Sequence, residues 1–318
     1  MDVRSLLNQL SDGAFHSGSS LGANLGVSRA AIWKALGRLS EFKLDIETIK
    51  GKGYRLRGGI DLLNLDEMLE VVPLGQREKI DVNLLLSTES TNSWLMSKEI
   101  TSKKFEICIA EMQKGGKGRR GKVWVSPFGK NIYLSVAFDL QGGVEVLNGL
   151  SLVIGLAVIR VLKKLGLYSA VLKWPNDIWI DSRKAAGILV ELQGEATTGW
   201  RIIAGIGLNV SMDENDGKGI DQPWVSIAQS ISTRRSQIAG MMISALIEVL
   251  EEYQANGFEC FMSEWEDSDF LKGKSIESSG GVNGIAVGIN AQGALLVETD
   301  DGLNCINAGE ISVRPVCD

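Results

Sequence analysis

Histidine and cysteine are scarce in this sequence. Its 318 residues include one histidine, His16, and four cysteines, none of which forms a Cys-x-x-Cys pair. Zinc sites and histidine-based catalytic triads need such residues in clusters, so their scarcity argues against both. Scattered cysteines are also typical of reducing compartments, and we expect a cytoplasmic protein without structural disulfides.

Long apolar runs are missing as well. The most apolar stretch, residues 147–159, is interrupted by Asn148 and Ser151 and is closed by Arg160, and no apolar signal segment opens the chain. A run of this length is too short to cross a bilayer. We therefore predict a buried helix over about residues 144–165 and no membrane partner.

Positive charge is concentrated in the first 60 residues. This part carries nine lysine and arginine residues against five acidic residues, a net charge of +4, whereas the whole chain has a net charge of −6, which leaves −10 for the remainder. A basic head on an acidic body indicates that the head contacts nucleic acid.

The pattern of residues 1–60 predicts a winged helix-turn-helix. Apolar periodicity indicates a helix over residues 3–10, a second, capped helix ends at Gly26, and Ser28 can cap a third helix that runs to about residue 40. A hairpin with a basic glycine tip follows and would form the wing. A small helical packing module is the alternative. The predicted DNA contacts are Ser28, Arg29, Ala30, Trp33, Lys34, Arg38, Lys50 and Lys52.

Glycines and cations alternate in residues 113–124, which we name the basic loop. Its four glycines let backbone N–H groups converge on an anion, and its five cations supply a positive field. A dinucleotide-binding loop would be followed by a helix, whereas residues 123–127 have the composition of a short strand or turn. A Walker A loop would carry a hydroxyl where Val123 stands. We therefore expect a phosphate-holding loop between two strands. A solvated, disordered basic turn is the alternative.

Three short polar residues stand at a predicted helix start. Ser90, Thr91 and Asn92 follow the predicted strand that begins at Ile80. They are either plain helix caps or recognise a polar, uncharged group on a small ligand, since neutral hydroxyls and amides give directional hydrogen bonds without a counter-charge.

Two lysines flank a Pro-Asn-Asp corner. Lys173 and Lys184 lie on predicted strands on either side of Asn176 and Asp177, so that all four would meet at one end of a sheet. They form either a structural ion-pair cluster or a pair of cations that bind a carboxylate and a phosphate, with Asp177 orienting a lysine or holding magnesium.

The remaining segments predict an α+β protein. Residues 201–210 resemble a buried strand whose glycines would let a ligand approach the backbone, and residues 212–223 resemble a mobile lid. A long helix is predicted over 234–255, and residues 272–314 resemble a small SH3-like β-barrel. The predicted division is a winged helix-turn-helix over 1–60, a linker over 61–76, a ligand-binding catalytic domain over 77–268 and a C-terminal SH3-like domain over 269–318.

Taken together, these motifs resemble the family of bifunctional biotin protein ligases and biotin operon repressors over nearly the whole chain. The family's basic loop normally begins Gly-Arg-Gly, whereas this chain has Lys117 at the arginine position, which keeps the charge and loses the planar fork. The motifs are Ser28–Ile32, Gly51–Tyr54, Ser90–Asn92, the basic loop, Lys173–Asp177, Lys184–Glu191, Gly205-x-Gly-x-Asn209 and Gly309-Glu-Ile-Ser-x-Arg314.

The resemblance implies a central mixed-sheet domain of the class II synthetase type and a two-step reaction. Biotin and ATP would form biotinyl-AMP in the presence of Mg²⁺, and a lysine of the biotin carboxyl carrier protein of acetyl-CoA carboxylase would accept the biotinyl group. Biotinyl-AMP would also promote a homodimer that binds the biotin operator DNA. A ligand-sensing repressor without catalysis and a lipoate or octanoyl ligase are the alternatives.

By position, the resemblance also implies roles for single residues. Lys184, Arg119 and Lys173 would be catalytic. Biotin would be bound by Ser90, Thr91, Asn92, Gln113, Gly116, Lys117, Gly118, Arg119, Trp124, Lys184 and Gly187. ATP and Mg²⁺ would be bound by Lys173, Asn176, Asp177, Asn209, Trp224 and Arg314, with Asp177 as the metal ligand.

Overall fold

The first residues form a winged helix-turn-helix in the computed structural model, which describes residues 2–195, 199–309 and 311–316. Asp2, Ser17 and Ser28 each cap a helix by accepting hydrogen bonds from its first free N–H groups. The predicted helices and wing are confirmed. The elements are α1 (Val3–Leu10), α2 (Gly18–Leu25), α3 (Arg29–Arg38), β1 (Ile46–Ile49) and β2 (Gly53–Leu56).

The middle of the chain contains a seven-stranded mixed sheet and six helices. Short 3-10 turns occur at residues 39–42, 119–121, 144–147, 227–229 and 259–261. The regular elements are α4 (Leu65–Val71), α5 (Leu74–Arg77), β3 (Ile80–Leu85), α6 (Thr91–Ser97), β4 (Phe105–Ala110), β5 (Ile132–Leu140), α7 (Leu150–Lys164), β6 (Val171–Lys173), β7 (Asp177–Ile180), β8 (Arg183–Glu195), β9 (Gly199–Leu208), α8 (Arg235–Asn256) and α9 (Met262–Glu266).

The sheet has the strand order β3-β4-β5-β9-β8-β7-β6. Among the strand pairs of this sheet in the described residues, β3–β4 is parallel and the others are antiparallel. Helices α7 and α8 cover one face and bury its alternate residues, whereas α6 packs on the opposite face against Cys108, Ala137 and Ile203. The face that carries α6 is therefore only partly covered by helices.

The segment predicted to be a linker, residues 61–76, packs against the sheet domain. Met68 of α4 is fully buried, and a side chain at Gly240 of α8 would overlap the Met68 carbonyl oxygen. The close approach of the two helices depends on this glycine. The domain divisions near residues 60, 76 and 268 stay predictions.

One stretch, Val144–Lys164, is long and apolar enough to span a membrane by length and composition alone. Its α-helical part, α7, lies in the core and packs against both the sheet and α8, so the predicted buried helix is confirmed. The helix begins at Leu150 rather than near 144, because Gly149 takes a left-handed backbone conformation where a side chain would overlap Phe258.

The C-terminal residues form an antiparallel sheet of five strands. They are β10 (Ser275–Ser278), β11 (Asn283–Ile289), β12 (Leu295–Thr299), β13 (Gly302–Ile306) and β14 (Val313–Pro315). The order is β13-β12-β11-β10-β14, so within the described part of the chain the edge strands β13 and β14 do not pair and the SH3-like sheet does not close into a barrel. Its apolar face joins the core of the sheet domain, where the Trp174 indole donates to the Gly293 carbonyl oxygen at 3.0 Å. Residue 310 of the last motif lies outside the described residues.

Candidate active site

A cavity of about 760 Å³ opens on the face of the sheet that carries α6. The start of α6, the basic loop, the β6–β7 corner and strand β14 form its walls. Most of the residues that the sequence singled out line this one space, although they come from distant parts of the chain. They are Ser90, Thr91, Asn92, Gln113, Lys117, Gly118, Arg119, Trp124, Lys173, Asn176, Asp177, Lys184, Gly187 and Arg314.

A second cavity, of about 340 Å³, lies beside the first. Asn209 and Trp224 line this smaller space, and Trp124 and Lys184 line both. Gly116 is not among the lining residues of either cavity. Its carbonyl oxygen accepts a hydrogen bond from the Trp124 N–H at 2.9 Å, so Gly116 shapes the basic loop.

Neutral polar groups line one end of the larger cavity. The Gln113 side-chain oxygen accepts from the Thr91 N–H at 2.9 Å, and the Gln113 amide donates to Ser126 at 3.2 Å. Ser90 does cap α6, but its oxygen lies 3.5 Å from the Ser93 N–H, at the limit of a hydrogen bond. Capping and ligand contact are thus compatible for Ser90.

An ion pair occupies the floor near the β6–β7 corner. Lys184 Nζ lies 2.8 Å from Asp177 Oδ1, and both side chains are largely buried. Pairing of β7 with β8 sets this geometry, since Asp177 is opposite Gly187 and next to the bulge at Ile178. Lys184 Nζ also lies 5.4 Å from the centre of the Trp124 ring. As predicted, the two lysines therefore lie close to the Pro-Asn-Asp corner.

Lys173 adds a second cation whose charge is easily lost. Burial lowers the pKa of its amine to about 8, with Asp177 opposing and neighbouring cations such as Lys184 and Arg314 adding to the shift. Its Nζ lies 4.2 Å from the centre of the Trp179 ring, which favours the charged form. A second negative group placed here would keep Lys173 protonated.

The basic loop is a closed hairpin that rests on the C-terminal sheet. Trp124 N–H bonds to Gly116, Gly118 N–H bonds to Lys122, and the Arg119 guanidinium donates to Asn176 Oδ1 at 3.1 Å and to the carbonyl oxygens of residues 308 and 309. Burial lowers the pKa of Arg119. The loop is thus a hydrogen-bonded wall of the cavity between two strands, as predicted.

Glycines on the central strands make room for side chains. A Cβ at Gly207 would overlap the Trp124 ring, and a Cβ at Gly205 would overlap the Asn92 amide. Gly187 lies under the same indole. The sequence suggested that a ligand approaches this backbone, whereas Trp124 and Asn92 fill the gaps.

Several lining residues had no clear signal in the sequence. Phe270 packs against Trp179 with ring centres 5.1 Å apart, and Lys274 Nζ lies 3.2 Å from the centre of the Phe270 ring. Both line the larger cavity. They stand next to the C-terminal sheet, where no motif marked them, and only the density of cations nearby could have indicated them.

One carboxylate, that of Asp177, lies among the cations at the β6–β7 corner of the larger cavity. Across residues 2–195, 199–309 and 311–316 there is no cluster of three His, Cys, Asp or Glu side chains able to hold a metal. Mg²⁺ bound with phosphates needs only one or two carboxylates from the protein, because waters and phosphate oxygens complete its shell. Asp177 can supply one carboxylate.

The winged helix-turn-helix presents the predicted DNA contacts on its surface. All eight side chains named for this role are exposed, and Trp33 of α3 is 72% exposed. In the wing, Lys52 and Arg55 lie over the Phe15 ring. A cationic face of this shape is suited to the major groove and its phosphates.

Three known families match successive parts of the chain. A helix-turn-helix (HTH) domain matches residues 3–55, the Biotin/lipoate A/B protein ligase family matches residues 84–209, and the Biotin protein ligase C terminal domain matches residues 276–314. These ranges correspond to the winged helix-turn-helix, which we also call the wing domain, to the sheet domain up to β9 and to the C-terminal sheet.

Relatives match almost end to end. The Bifunctional ligase/repressor BirA of Escherichia coli K12 is 40% identical over 97% of this chain and 96% of its own length, and that of Bacillus subtilis is 29% identical over 94% of each. The solved biotin protein ligase from Aquifex aeolicus in complex with biotin and ATP superposes with a TM-score of 0.64, 25% identity, and coverage of 74% of this chain and 99% of that one. The resemblance of the motifs is confirmed, and the chain belongs to the family of bifunctional ligase/repressor BirA proteins.

Proposed function

We propose that this protein joins biotin to the AMP part of ATP in the larger cavity, transfers biotin to a carrier lysine and uses the biotinyl-AMP intermediate as a signal for repression. The observation that carries the proposal is one space that combines a neutral polar end, a buried Lys184–Asp177 pair and a cationic loop. This combination suits an acid with an uncharged polar ring that must react with a phosphate.

In the first step the biotin carboxylate oxygen attacks the α-phosphorus of ATP. A bond from that oxygen to phosphorus forms, the bond to the bridging oxygen breaks, and pyrophosphate leaves. Two anions approach each other and charge accumulates at phosphorus, so fixed cations lower the barrier. Lys184, Arg119 and Lys173 are the cations that we assign to this role, and Arg314 supports the nucleotide.

In the second step the amine of a lysine on a biotin carboxyl carrier protein attacks the acyl carbon of biotinyl-AMP. An amide forms, AMP leaves, and the amine releases a proton. The Arg119 contacts to Asn176 and to the C-terminal sheet would keep the basic loop over the adenylate until the carrier arrives.

Each end of the ligand has its own set of residues. Ser90, Thr91 and Gln113 hold the ureido ring and Asn92 lies behind them in the cavity wall, with Lys117, Gly118 and Gly187 around the ring and Trp124 as a wall. Asn209 and Trp224 of the smaller cavity serve the nucleotide, where an indole face suits a base. Asn176 and Asp177 serve the phosphates, and Mg²⁺, when bound to ATP, would neutralise phosphate charge beside Asp177.

The test of the function is the choice of acid. The full chain is incubated with ATP, magnesium and either biotin or lipoate, and pyrophosphate release is followed. We expect release with biotin and none above background with lipoate, because the dithiolane of lipoate offers no N–H groups. Release with lipoate alone would favour the lipoate ligase, and release with neither acid despite biotin binding would favour a sensor without catalysis.

Repression would follow if the adenylate promotes a homodimer that binds biotin operator DNA at two half-sites. Contacts near the basic loop support a connection between the bound adenylate and the winged helix-turn-helix. Met112 and Phe128, which flank the loop, pack against the core of the wing domain, and the Phe128 and Phe42 rings stack with centres 4.5 Å apart. A ligand that orders the loop would thus also act on the wing domain.

Sedimentation with and without biotinyl-AMP tests this link. We expect the dimer fraction to rise when the adenylate is bound, because the basic loop and the 212–224 segment would be ordered at the edge of the interface. Equal dimerisation in both conditions would eliminate the proposal. A cytoplasmic location stays a prediction.

A further inference from the structure

The side chain of Asn92 has its polar atoms occupied by protein. Asn92 is 3% exposed, its Nδ2 donates to the Leu189 carbonyl oxygen at 3.2 Å and to Glu191 Oε2 at 2.7 Å, and its Oδ1 lies 2.6 Å from Ser135 Oγ. Both N–H groups of the amide are therefore in use. Asn92 lines the cavity, but it has no donor left for a ligand.

A row of three paired residues, one on each of the neighbouring strands β5, β9 and β8, forms the site that holds this amide. Gly205 of β9 is paired with Ser135 of β5 on one side and with Leu189 of β8 on the other. Because Gly205 has no side chain, the amide of Asn92 fits between the Ser135 hydroxyl and the Leu189 carbonyl. Ser135 itself is fully buried. The row thus fastens the first turn of α6 to the sheet.

The order of donors along these contacts is fixed by counting protons. An amide oxygen only accepts, so Ser135 must give its single proton to Asn92. Three oxygen–oxygen contacts, Asn92–Ser135 at 2.6 Å, Ser135–Thr91 at 2.6 Å and Thr91–Gln113 at 3.1 Å, share the two hydroxyl protons of Ser135 and Thr91. The two shortest contacts need the protons most, so Thr91 donates to Ser135 and the longer contact to the Gln113 oxygen is left without a proton. The reverse orientation of the Asn92 amide would place its oxygen against the Glu191 carboxylate.

The consequence appears in the cavity wall. Once the Thr91 proton points at Ser135, the Thr91 hydroxyl presents only lone pairs to the cavity, as an acceptor. The Gln113 amide donates one N–H to Ser126, and its second N–H remains available to donate to a ligand. An acceptor beside a donor is complementary to the N–H and C=O of a cyclic urea.

We propose that Ser135 and Glu191 are positioning residues that act through Asn92 and set the hydrogen-bond polarity of the ureido site. Glu191 holds the Asn92 amide in one orientation, with the amide oxygen towards Ser135. Ser135 therefore donates to Asn92, and Thr91 donates to Ser135. The Thr91 hydroxyl can then only accept a hydrogen bond from a ligand. This deepens the proposed function and rests on biotin as the acid.

The test separates the binding of biotin from the binding of ATP. Steady-state pyrophosphate release by the full chain gives KM for each substrate in Ser135→Ala, Glu191→Leu and Glu191→Gln. We expect Ser135→Ala and Glu191→Leu to raise the KM for biotin about tenfold and to leave kcat and the KM for ATP within about twofold, as for one lost hydrogen bond. Glu191→Gln keeps an oxygen acceptor for Asn92 and should stay close to the parent protein.

A buried serine away from the cavity serves as the control. Ser236 of α8 is fully buried and accepts from the Asn64 N–H, so Ser236→Ala tests the loss of a buried hydroxyl alone and should change neither KM. Thermal unfolding is recorded for every variant, and if Glu191→Leu does not fold, Ser135→Ala decides. An equal rise of both KM values, an unchanged KM for biotin, or equal damage in Glu191→Gln and Glu191→Leu would overturn the proposal. Absence of pyrophosphate release in the parent protein would instead refute the proposed function.

Discussion

Lys184→Ala is expected to abolish measurable biotinyl-AMP formation, a loss of at least about 10²-fold in kcat. Lys184 Nζ is the largely buried cation on the floor of the cavity, 2.8 Å from Asp177. Its removal takes away the partner of the charge that develops at the α-phosphate and leaves Asp177 as a bare negative group that repels the substrates. Pyrophosphate release at saturating biotin and ATP measures the effect.

The exposed Lys164 at the end of α7 gives the matched control. Lys164→Ala removes the same charge from the surface and should leave the rate unchanged. Lys184→Arg should recover only part of the activity, because the guanidinium fork needs more space than the ammonium group does. Unchanged pyrophosphate release in Lys184→Ala would refute the role of Lys184.

Arg119→Gly is expected to release biotinyl-AMP before the carrier can accept the biotinyl group, so that unrelated lysines become biotinylated. The substitution removes the contacts of the loop to Asn176 and to the carbonyl oxygens of residues 308 and 309. Loss of charge-assisted hydrogen bonds of this kind should speed dissociation of the adenylate by about 10- to 100-fold. The measurements are the dissociation rate of labelled adenylate and the labelling of an unrelated lysine-rich protein.

Lys114 lies in the same loop, is exposed and lines neither cavity. Lys114→Gly therefore controls for the loss of a loop charge and for the added glycine. In this variant we expect biotinylation of the carrier alone, without labelling of the unrelated protein. If Arg119→Gly labels only the carrier, Arg119 does not retain the adenylate.

Local patterns predicted the local parts of this structure. The cap at Ser28, the glycine at the end of α2 and the basic tip of the wing are set by neighbours in sequence, and each appears where it was expected. The absence of a helix after the basic loop was predicted in the same way, from Val123 and the residues that follow. Such features need no knowledge of distant partners.

The rest depends on contacts between residues far apart in the chain. Nothing near Gly205 or Gly207 shows that these glycines make room for Asn92 and Trp124, because the partners lie some hundred residues away. Ser135 resembles any small residue on a buried strand, and its role appears only once β5 and β9 pair. Strand register across a sheet is set by the whole fold, so sequence patterns leave it open.

The docking of 61–76 and of the C-terminal sheet illustrates the same limit. Residues 61–69 have the composition of a linker with a helix, yet α4 is buried against α8 through the close contact at Gly240. The guanidinium of Arg119 reaches the C-terminal sheet nearly two hundred residues away. The charge of the basic loop was readable from the sequence, whereas the surface on which the loop rests was not.

A structure of the protein with biotin, ATP and magnesium would show whether the larger cavity is where the adenylate forms. We expect an acyl phosphate in the larger cavity, with its α-phosphate beside Lys184, its ureido ring against Thr91 and Gln113, and the basic loop closed over it. A nucleotide bound elsewhere, with Lys184 and the basic loop facing empty solvent, would rule out this cavity as the site of the reaction.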